Sequence, residues 1–360
     1  MTRKECIMPM QKKQIRNRIL YLDFLRILAT AAVMILHTAS KVWYASDIGS
    51  FNWNASNVWD SIVRWCVPVF AMISGTLFLN PDNEIRIKNL YTRNICRVLT
   101  AFIFWSFLYA FNPFSDKIFA LDKLLSGHYH LWFLFMIIGF YITVPLLREI
   151  TRTERTTKYF LVASFVLNIS ANTFFHILLP CFPSINASPF ISALSKDYNN
   201  ANIDFLLGYS FYFVLGYYLN RHTFRKKTNY FVYMLAVAAC FATILFTYMA
   251  SIDKNTSWTG WYNYLSVNVA LQSMGMFVLI KNAKLKWIQK QQKLISTISK
   301  YTFGMYLVHI FLLELLIKEL KPLSYNAVIT IPAISIFVFL SSLVLSCLLN
   351  NIPIVKRYIV

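Results

Sequence analysis

Charged residues are scarce in this chain, and acidic residues are the scarcest of them. Of its 360 residues only 14% are charged and 57% are hydrophobic, whereas about a quarter of the residues in a soluble domain are charged. Such a chain cannot cover its surface with polar groups, which excludes an ordinary soluble protein. Most of its surface must face lipid or other helices, so the composition predicts an all-α integral membrane protein.

Glycine and proline are also few, and no stretch rich in either divides the chain. A single helical bundle is therefore expected. A helix needs about 20 mostly apolar residues to cross a bilayer, and ten segments meet this requirement. The predicted spans are 19–42, 58–79, 96–114, 129–147, 159–180, 203–219, 229–250, 262–280, 299–317 and 327–349. The predicted domains are a basic cytoplasmic segment over 1–18, a ten-helix domain over 19–350 and a short cytoplasmic tail over 351–360.

Acidic residues number 15 against 35 basic ones, which gives a net charge of +20. This excess does not predict a nucleic-acid partner, because 26 of the 35 basic residues fall in the two ends and in alternate connections. Lys and Arg collect in cytoplasmic loops of membrane proteins. The charge pattern therefore predicts a multi-pass protein whose two ends are both cytoplasmic.

Several motifs of soluble enzymes are missing. The six cysteines are isolated and form no CxxC pair, so neither a disulfide framework nor a metal site is expected. No GxSxG elbow, P-loop or GxGxxG sequence occurs, which gives no support for a serine nucleophile, nucleotide hydrolysis or dinucleotide binding. We predict no permanently bound cofactor.

Ionisable residues within predicted spans are costly and usually serve a site. Arg26 and His37 lie in the first span, eleven residues apart, so they share one helix face and are separated by about 16 Å. Arg64 lies near the outer end of the second span. A histidine can act as a general base toward a hydroxyl, and an arginine can hold a phosphate or stabilise an oxyanion.

Two further spans carry candidate substrate-binding residues. His130 and Trp132 open the fourth span, where an aromatic face could stack on a sugar ring. The ninth span carries Tyr306, His309 and Glu314, and Glu314 is a candidate partner for Arg64 or His37. These patterns alone leave both an enzyme and a transporter open.

Five stretches, taken in order along the chain, resemble the family-3 membrane acyltransferases. The mark of that family is an arginine followed after ten residues by a histidine. The matching stretches are Tyr21-Leu22-Asp23-Phe24-Leu25-Arg26 with His37, Arg64-Trp65-Cys66-Val67-Pro68 with Ser74-Gly75, His130-Leu131-Trp132-Phe133-Leu134, Tyr141 with Pro145-Leu146-Leu147, and Phe303-Gly304-Met305-Tyr306-Leu307-Val308-His309. Within the family the chain is most similar to bacterial surface-polysaccharide O-acetyltransferases, such as the one that acts on enterobacterial common antigen.

The resemblance implies a bacterial inner-membrane O-acyltransferase that uses acyl-CoA, usually acetyl-CoA, as co-substrate. Its acceptor would be a hydroxyl of a cell-surface or lipid-linked carbohydrate. His37 would be the general base, with Arg64 at the oxyanion. The phosphates of the donor would bind to Arg26, Arg86, Lys88, Arg93 and Arg97. The substrate would contact His130, Trp132, Tyr306, His309 and Glu314.

Two alternatives stay open at this stage. One is a non-catalytic flippase for lipid-linked saccharides or a polysaccharide exporter, which needs an acceptor path but no acyl-CoA. The other is an acyltransferase for peptidoglycan, an antibiotic or a lipid. The outer connections 43–60 and 181–202 are candidates for choosing the acceptor, or they are surface loops with no binding role.

Overall fold

A computed structural model describes residues 19–111, 126–186, 188–202, 207–283, 286–320 and 325–360. Among these residues every regular element is helical, as predicted, and the predicted segment 1–18 lies outside them. The main helices are α1 (Leu20–Ala45), α2 (Phe51–Val63), α3 (Cys66–Phe78), α4 (Cys96–Ala110), α5 (Trp132–Ile150), α6 (Glu154–Ser164), α7 (Pro189–Asn200), α8 (Ser210–Arg221), α9 (Lys226–Lys254), α10 (Val267–Asn282), α11 (Gln292–Leu320), α12 (Ala327–Asn350) and α13 (Pro353–Tyr358).

Eight of the ten predicted spans correspond to helices long and apolar enough to cross a membrane. The third and sixth spans correspond to α4 and α8, of which 15 and 12 residues are helical, and parts of the predicted ranges 96–114 and 203–219 lie outside the described residues. The chain is thus an all-α polytopic membrane protein, as the composition predicts. The exposed apolar face of α9, including Met234, Val237 and Phe241, is available to lipid.

The second span is broken into two helices at Arg64 and Trp65. Pro68 explains the break, since its ring clashes with the carbonyl four residues earlier and its nitrogen cannot donate to it. The helix resumes at Cys66, with the amide of Val69 donating to the carbonyl of Trp65 over 3.1 Å.

The predicted outer connection 43–60 is mostly helical, which corrects the sequence-based boundary. The first helix extends to Ala45 and the second begins at Phe51. Trp43 and Trp53 are buried and stack on each other at 5.6 Å between ring centroids. These two tryptophans therefore pack the bundle and offer no surface on which a sugar could stack.

Helix α1 is the central element of the bundle, in contact with α2, α3, α10, α11 and α12. Its inward face carries Leu25, Ala29, Met34 and Ala39, all of which are fully buried. Small residues at helix interfaces let backbones approach closely in membranes. This position brings the Arg26–His37 face of α1 against α11, which carries Tyr306 and His309.

The two ends of the described chain meet on one face of the bundle. Arg97, at the start of α4, donates a hydrogen bond of 2.6 Å to the carbonyl of Val360, and Trp105 donates to Ile359 over 3.2 Å. Arg357 lines the same cavity as Arg26 of α1. An even number of crossings requires this arrangement, and the basic residues identify this face as the predicted cytoplasmic one.

Candidate active site

A cavity of about 850 Å³ opens at the basic face. It lies among α1, α3, α4, α5, α11 and α13. The described residues that line it include no acidic side chain, and the basic ones are Arg26, Arg93, Arg97, Lys300 and Arg357. Guanidinium groups grip phosphate in a bidentate manner. The cavity is therefore an electrostatic fit for a phosphorylated ligand that enters from the predicted cytoplasmic side.

Three of the five predicted phosphate-binding residues line this cavity, and two do not. Arg93 and Arg97 lie one helical turn apart and both point into it. Arg86 and Lys88 are exposed and are absent from its described lining. Arg86 precedes, and Lys88 lies in, the short helix Ile87–Asn89, which has no buried residue. Sequence reasoning counted Lys300 only as one of the basic residues on the cytoplasmic side and did not predict that it lines the cavity.

Arg26, one of the lining residues, is held in place by hydrogen bonds and an ion pair. Its guanidinium lies 3.8 Å from the carboxylate of Asp23 and donates to the hydroxyl of Ser299 over 3.4 Å. The Ser299 hydroxyl in turn donates to Asp23 over 2.7 Å. Asp23 is 4% exposed, so this buried carboxylate fixes Arg26 with its charge directed at the cavity rather than at the headgroups.

A second, smaller cavity of about 40 Å³ contains His37. Phe70, Phe133 and Tyr306 line both cavities. Their rings touch one another, with centroid distances of 5.7 Å between the two phenylalanines and 5.4 Å between Phe133 and Tyr306. These three aromatic side chains therefore lie between the basic cavity and the small cavity that His37 lines.

The structure also brings most of the predicted substrate-binding residues to His37. His130, Trp132 and Tyr306 line the small cavity with it. The ring of His309 lies 5.3 Å from that of His37, and the Tyr306 hydroxyl donates to the His130 carbonyl. Segments more than 90 residues apart in sequence thus converge on one histidine.

Trp132 is positioned as a binding surface, since 38% of it is exposed. It stacks on Tyr264 with a centroid distance of 6.0 Å and an interplanar angle of 26°. Tyr264 also lines the small cavity. Sequence reasoning missed Tyr264 because nothing in its local sequence distinguishes it from the other tyrosines among the 21 of the chain.

Arg64 lies beside this site and is absent from the described lining of both cavities. Its guanidinium donates to Asp60 over 2.6 Å, reaches the carbonyl of Tyr262 at 3.4 Å, and stacks on the Tyr262 ring at 4.1 Å. The Tyr264 ring is 5.8 Å away. Arg64 therefore lies behind Tyr264, which lines the small cavity. Its oxyanion role stays a prediction.

Glu314, a candidate partner of Arg64 or His37, contacts other residues. Its carboxylate lies 3.4 Å from Lys41 and 3.6 Å from His128. The carboxylate that pairs with Arg64 is Asp60, which sequence reasoning missed. Asp60 precedes Arg64 by four residues, a spacing at which side chains meet on a helix, so the signal was present.

The Asp60–Arg64 pair gives a prediction about stability. Asp60 is 1% exposed, so replacing it with alanine leaves a buried guanidinium without its carboxylate. We expect Asp60→Ala to destabilise the fold by about 3–5 kcal/mol, measured as a lower unfolding temperature in detergent. The control is Glu149→Ala, which removes a carboxylate from an exposed pair with Arg152 and should change little. Equal effects of the two variants would contradict a buried pair.

No metal or disulfide chemistry is seen in the described part of the chain. There, no group of three or more His, Cys, Asp or Glu side chains is arranged to hold a metal ion. The five cysteines within it are free.

The family comparison decides the class of protein. A model of the acyltransferase-3 family, described as an acyltransferase domain, matches residues 19–351. The chain belongs to this family. In this acyltransferase-3 protein, Arg26 and His37 of the first span lie on the face of α1 that lines the two cavities. The match confirms the resemblance on which the interpretation depends, and it supports acyltransferase activity in general.

Curated relatives of this acyltransferase-3 protein come from Staphylococcus aureus. Those of strains MSSA476 and Mu50 are named probable poly-beta-1,6-N-acetyl-D-glucosamine export proteins. Each is 22% identical over 261 residues, which cover 71% of this chain and 70% of the relative. No solved structure matches the chain.

Proposed function

We propose that this protein transfers an acetyl group from cytoplasmic acetyl-CoA to a hydroxyl of a cell-surface or lipid-linked carbohydrate in the bacterial inner membrane. One observation carries the proposal: a basic cavity on the predicted cytoplasmic face shares three aromatic lining residues with the small cavity that contains His37. A long ligand with phosphates at one end and a reactive group at the other fits this arrangement.

The donor would bind with its phosphates against Arg26, Arg93 and Arg97, with Lys300 and Arg357 adding positive charge. Its pantetheine arm would then pass between Phe70, Phe133 and Tyr306. Arg26 and His37 are separated by about 16 Å along α1, a distance that an extended arm spans. The three rings must rotate apart to admit it, because the space behind them is only about 40 Å³.

The chemistry would take place at His37. Its imidazole would take the proton of the acceptor hydroxyl as the oxygen attacks the thioester carbonyl. The thiolate of CoA leaves toward the basic cavity. Arg64 would favour the developing oxyanion, and Trp132 would pack against the acceptor. The printed name of the staphylococcal relatives, which refers to an N-acetylglucosamine polymer, supports a carbohydrate acceptor.

The donor half of this proposal is tested by acetyl-CoA affinity. Arg93→Ala removes a lining guanidinium, and we expect the dissociation constant for acetyl-CoA to rise about tenfold or more, since a charged hydrogen bond is worth about 1.5–3 kcal/mol. The matched control is Arg86→Ala, which removes an exposed arginine that does not line the cavity. Isothermal titration of the purified protein in detergent measures both. Equal weakening by the two variants would contradict the placement of the donor.

A second candidate function is polysaccharide export without catalysis, which the names of the relatives favour. An exporter has no use for a thioester donor. Absence of acetyl-CoA binding to the wild-type protein would therefore favour export over transfer. Mass spectrometry of envelope glycans from cells with and without the intact gene separates the two further, because only transfer changes the glycan mass by one acyl group.

A further inference from the structure

Four of the six histidines of this chain lie together at the small cavity. His37 and His130 line that cavity, and His309 packs against both, with ring centroids 5.3 and 5.5 Å away. His128 continues the cluster, its Nδ1 atom 3.0 Å from Nδ1 of His130. On the far side of His128 stands the carboxylate of Glu314. The proposed base His37 accounts for only one of these imidazoles.

Hydrogen-bond partners fix the proton positions along part of this cluster. The Nε2 atom of His128 faces the carboxylate of Glu314 at 3.6 Å, and a lone pair there would be repelled, so Nε2 carries the hydrogen. Nδ1 of His128 is then an acceptor. It follows that Nδ1 of His130 is the donor across the 3.0 Å contact. Nε2 of His130 is left as a bare lone pair.

That lone pair is buried and unused within the described structure. His130 is 2% exposed, and its Nε2 atom has no hydrogen-bond partner among the described residues. The same holds for Nε2 of His309, whose Nδ1 lies 2.6 Å from the carbonyl of Tyr306 and so donates to it. A buried nitrogen without a hydrogen-bond partner is unfavourable. Such an atom, on a residue that lines the same small cavity as His37, is suited to receive a proton.

We propose that His130, His128 and Glu314 form a relay that takes the proton from His37 and delivers it toward the predicted outer face. The proposal rests on the proposed function, because it concerns the fate of the proton that His37 removes. The direction is set by the tautomers: a proton arriving at Nε2 of His130 releases the one on Nδ1 to His128. The proton on Nε2 of His128 then passes to Glu314 after a small closure of the 3.6 Å gap.

The steps balance in atoms and charge. The acceptor hydroxyl loses its proton to His37 while its oxygen bonds to the thioester carbon. The carbon–sulfur bond breaks, and CoA leaves as a thiolate that takes a proton from cytoplasmic water. The His37 proton crosses the small cavity, which is large enough for one bridging water, to His130 and passes through His128 to Glu314 and then to water. Exchange with water in the emptied site returns the two relay imidazoles to their starting tautomers.

The outer end of the relay, at Glu314, is partly exposed and can release a proton. The side chain of Glu314 is 20% exposed, and that of its neighbour Lys41 is 36% exposed. The ammonium of Lys41 lies 3.4 Å from the carboxylate and 5.3 Å from the ring centre of Tyr129. The partial exposure of both side chains gives a proton on Glu314 a direct path to water. Glu314 thus leads the proton to water rather than storing it.

Glu314→Gln tests the relay, because glutamine keeps the shape and cannot accept the proton. CoA release would be followed in purified protein with acetyl-CoA alone and with acetyl-CoA plus a β-1,6-linked N-acetylglucosamine tetrasaccharide. We expect turnover to fall at least about tenfold with unchanged KM for acetyl-CoA. The loss should shrink as pH rises, because hydroxide replaces the missing acceptor. Glu314→Asp should restore part of the rate.

The control, Glu319→Gln, changes an exposed glutamate five residues along the same helix and should leave turnover unchanged.

A second measurement does not depend on activity. Nitrogen-15 NMR of histidine-labelled protein in lipid should show the hydrogen on Nε2 in His128 and on Nδ1 in His130 and His309. The opposite tautomers at His128 and His130 would overturn the relay. A Glu314→Gln enzyme that keeps wild-type turnover, or loses it equally at every pH, would also overturn the relay but leave the proposed function standing. Absence of CoA release from the wild type, with and without the tetrasaccharide, would contradict the proposed function and the relay together.

Discussion

Replacement of His37 by alanine is expected to reduce acyl transfer by a factor of about 100 or more while the protein stays folded and still binds acetyl-CoA. General base catalysis contributes about 10²–10⁴ to a rate, and His37 is the histidine that both lines the small cavity and shares a helix face with Arg26. Donor affinity should persist because the phosphates bind in the other cavity. Transfer is measured as label moved from acetyl-CoA to carbohydrate.

The matched control for this change is His176→Ala. His176 is exposed and packs on Tyr198, with ring centroids 6.0 Å apart, away from both cavities. It should transfer acetyl groups at the wild-type rate. Wild-type transfer by the His37 variant would remove the general base from the mechanism, whatever the variant does to binding.

Gly75→Ala is expected to destabilise the bundle by about 3 kcal/mol or more. A Cβ added at Gly75 would lie 1.7 Å from the carbonyl oxygen of Phe213, and one at Gly216 would lie 2.1 Å from that of Met72. The backbones of α3 and α8 thus touch at these glycines, and overpacking at such a contact typically costs about 1–3 kcal/mol or more. Both clashes are with backbone, which cannot rotate away as a side chain can. Thermal unfolding in detergent measures the effect.

The control for the glycine experiment is Gly139→Ala in α5. A Cβ there meets nothing within 4 Å, and alanine favours helix by about 1 kcal/mol over glycine. The two variants make the same chemical change in apolar helices. We expect Gly75→Ala to lower the unfolding temperature and Gly139→Ala to leave it unchanged or raise it. A stable Gly75→Ala protein would contradict the close contact of α3 with α8.

The helices could be predicted from sequence wherever apolar runs were long, but the polar start of the second span could not. Residues 51–61 include Asn52, Asn54, Asn57 and Asp60, so their mean hydropathy is low. In the structure Asn57 accepts from Tyr262 over 2.6 Å and donates to the carbonyl of Ile244 over 3.0 Å. Hydropathy counts each polar group as a cost, whereas a partner distant in sequence removes that cost.

For the candidate site too, local spacing could be predicted from sequence, whereas packing between helices could not. Spacing along one helix placed Arg26 and His37 on a common face, since that depends only on helical geometry. It could not show that Arg86 is exposed while Lys300 lines the cavity, because that choice is made by packing between helices. The relay is a further case. His128 follows Gly127 shortly before α5 begins, and only the fold brings it to Glu314.

One measurement tests the central claim most directly: the structure of the protein bound to a non-hydrolysable acetyl-CoA analogue in a lipid bilayer. We predict phosphates against Arg93 and Arg97, an arm that passes between the rings of Phe70, Phe133 and Tyr306, and an acyl carbon within hydrogen-bonding reach of an acceptor placed at His37. An analogue whose acyl end stays on the cytoplasmic side of those rings, or binds elsewhere, would contradict the account.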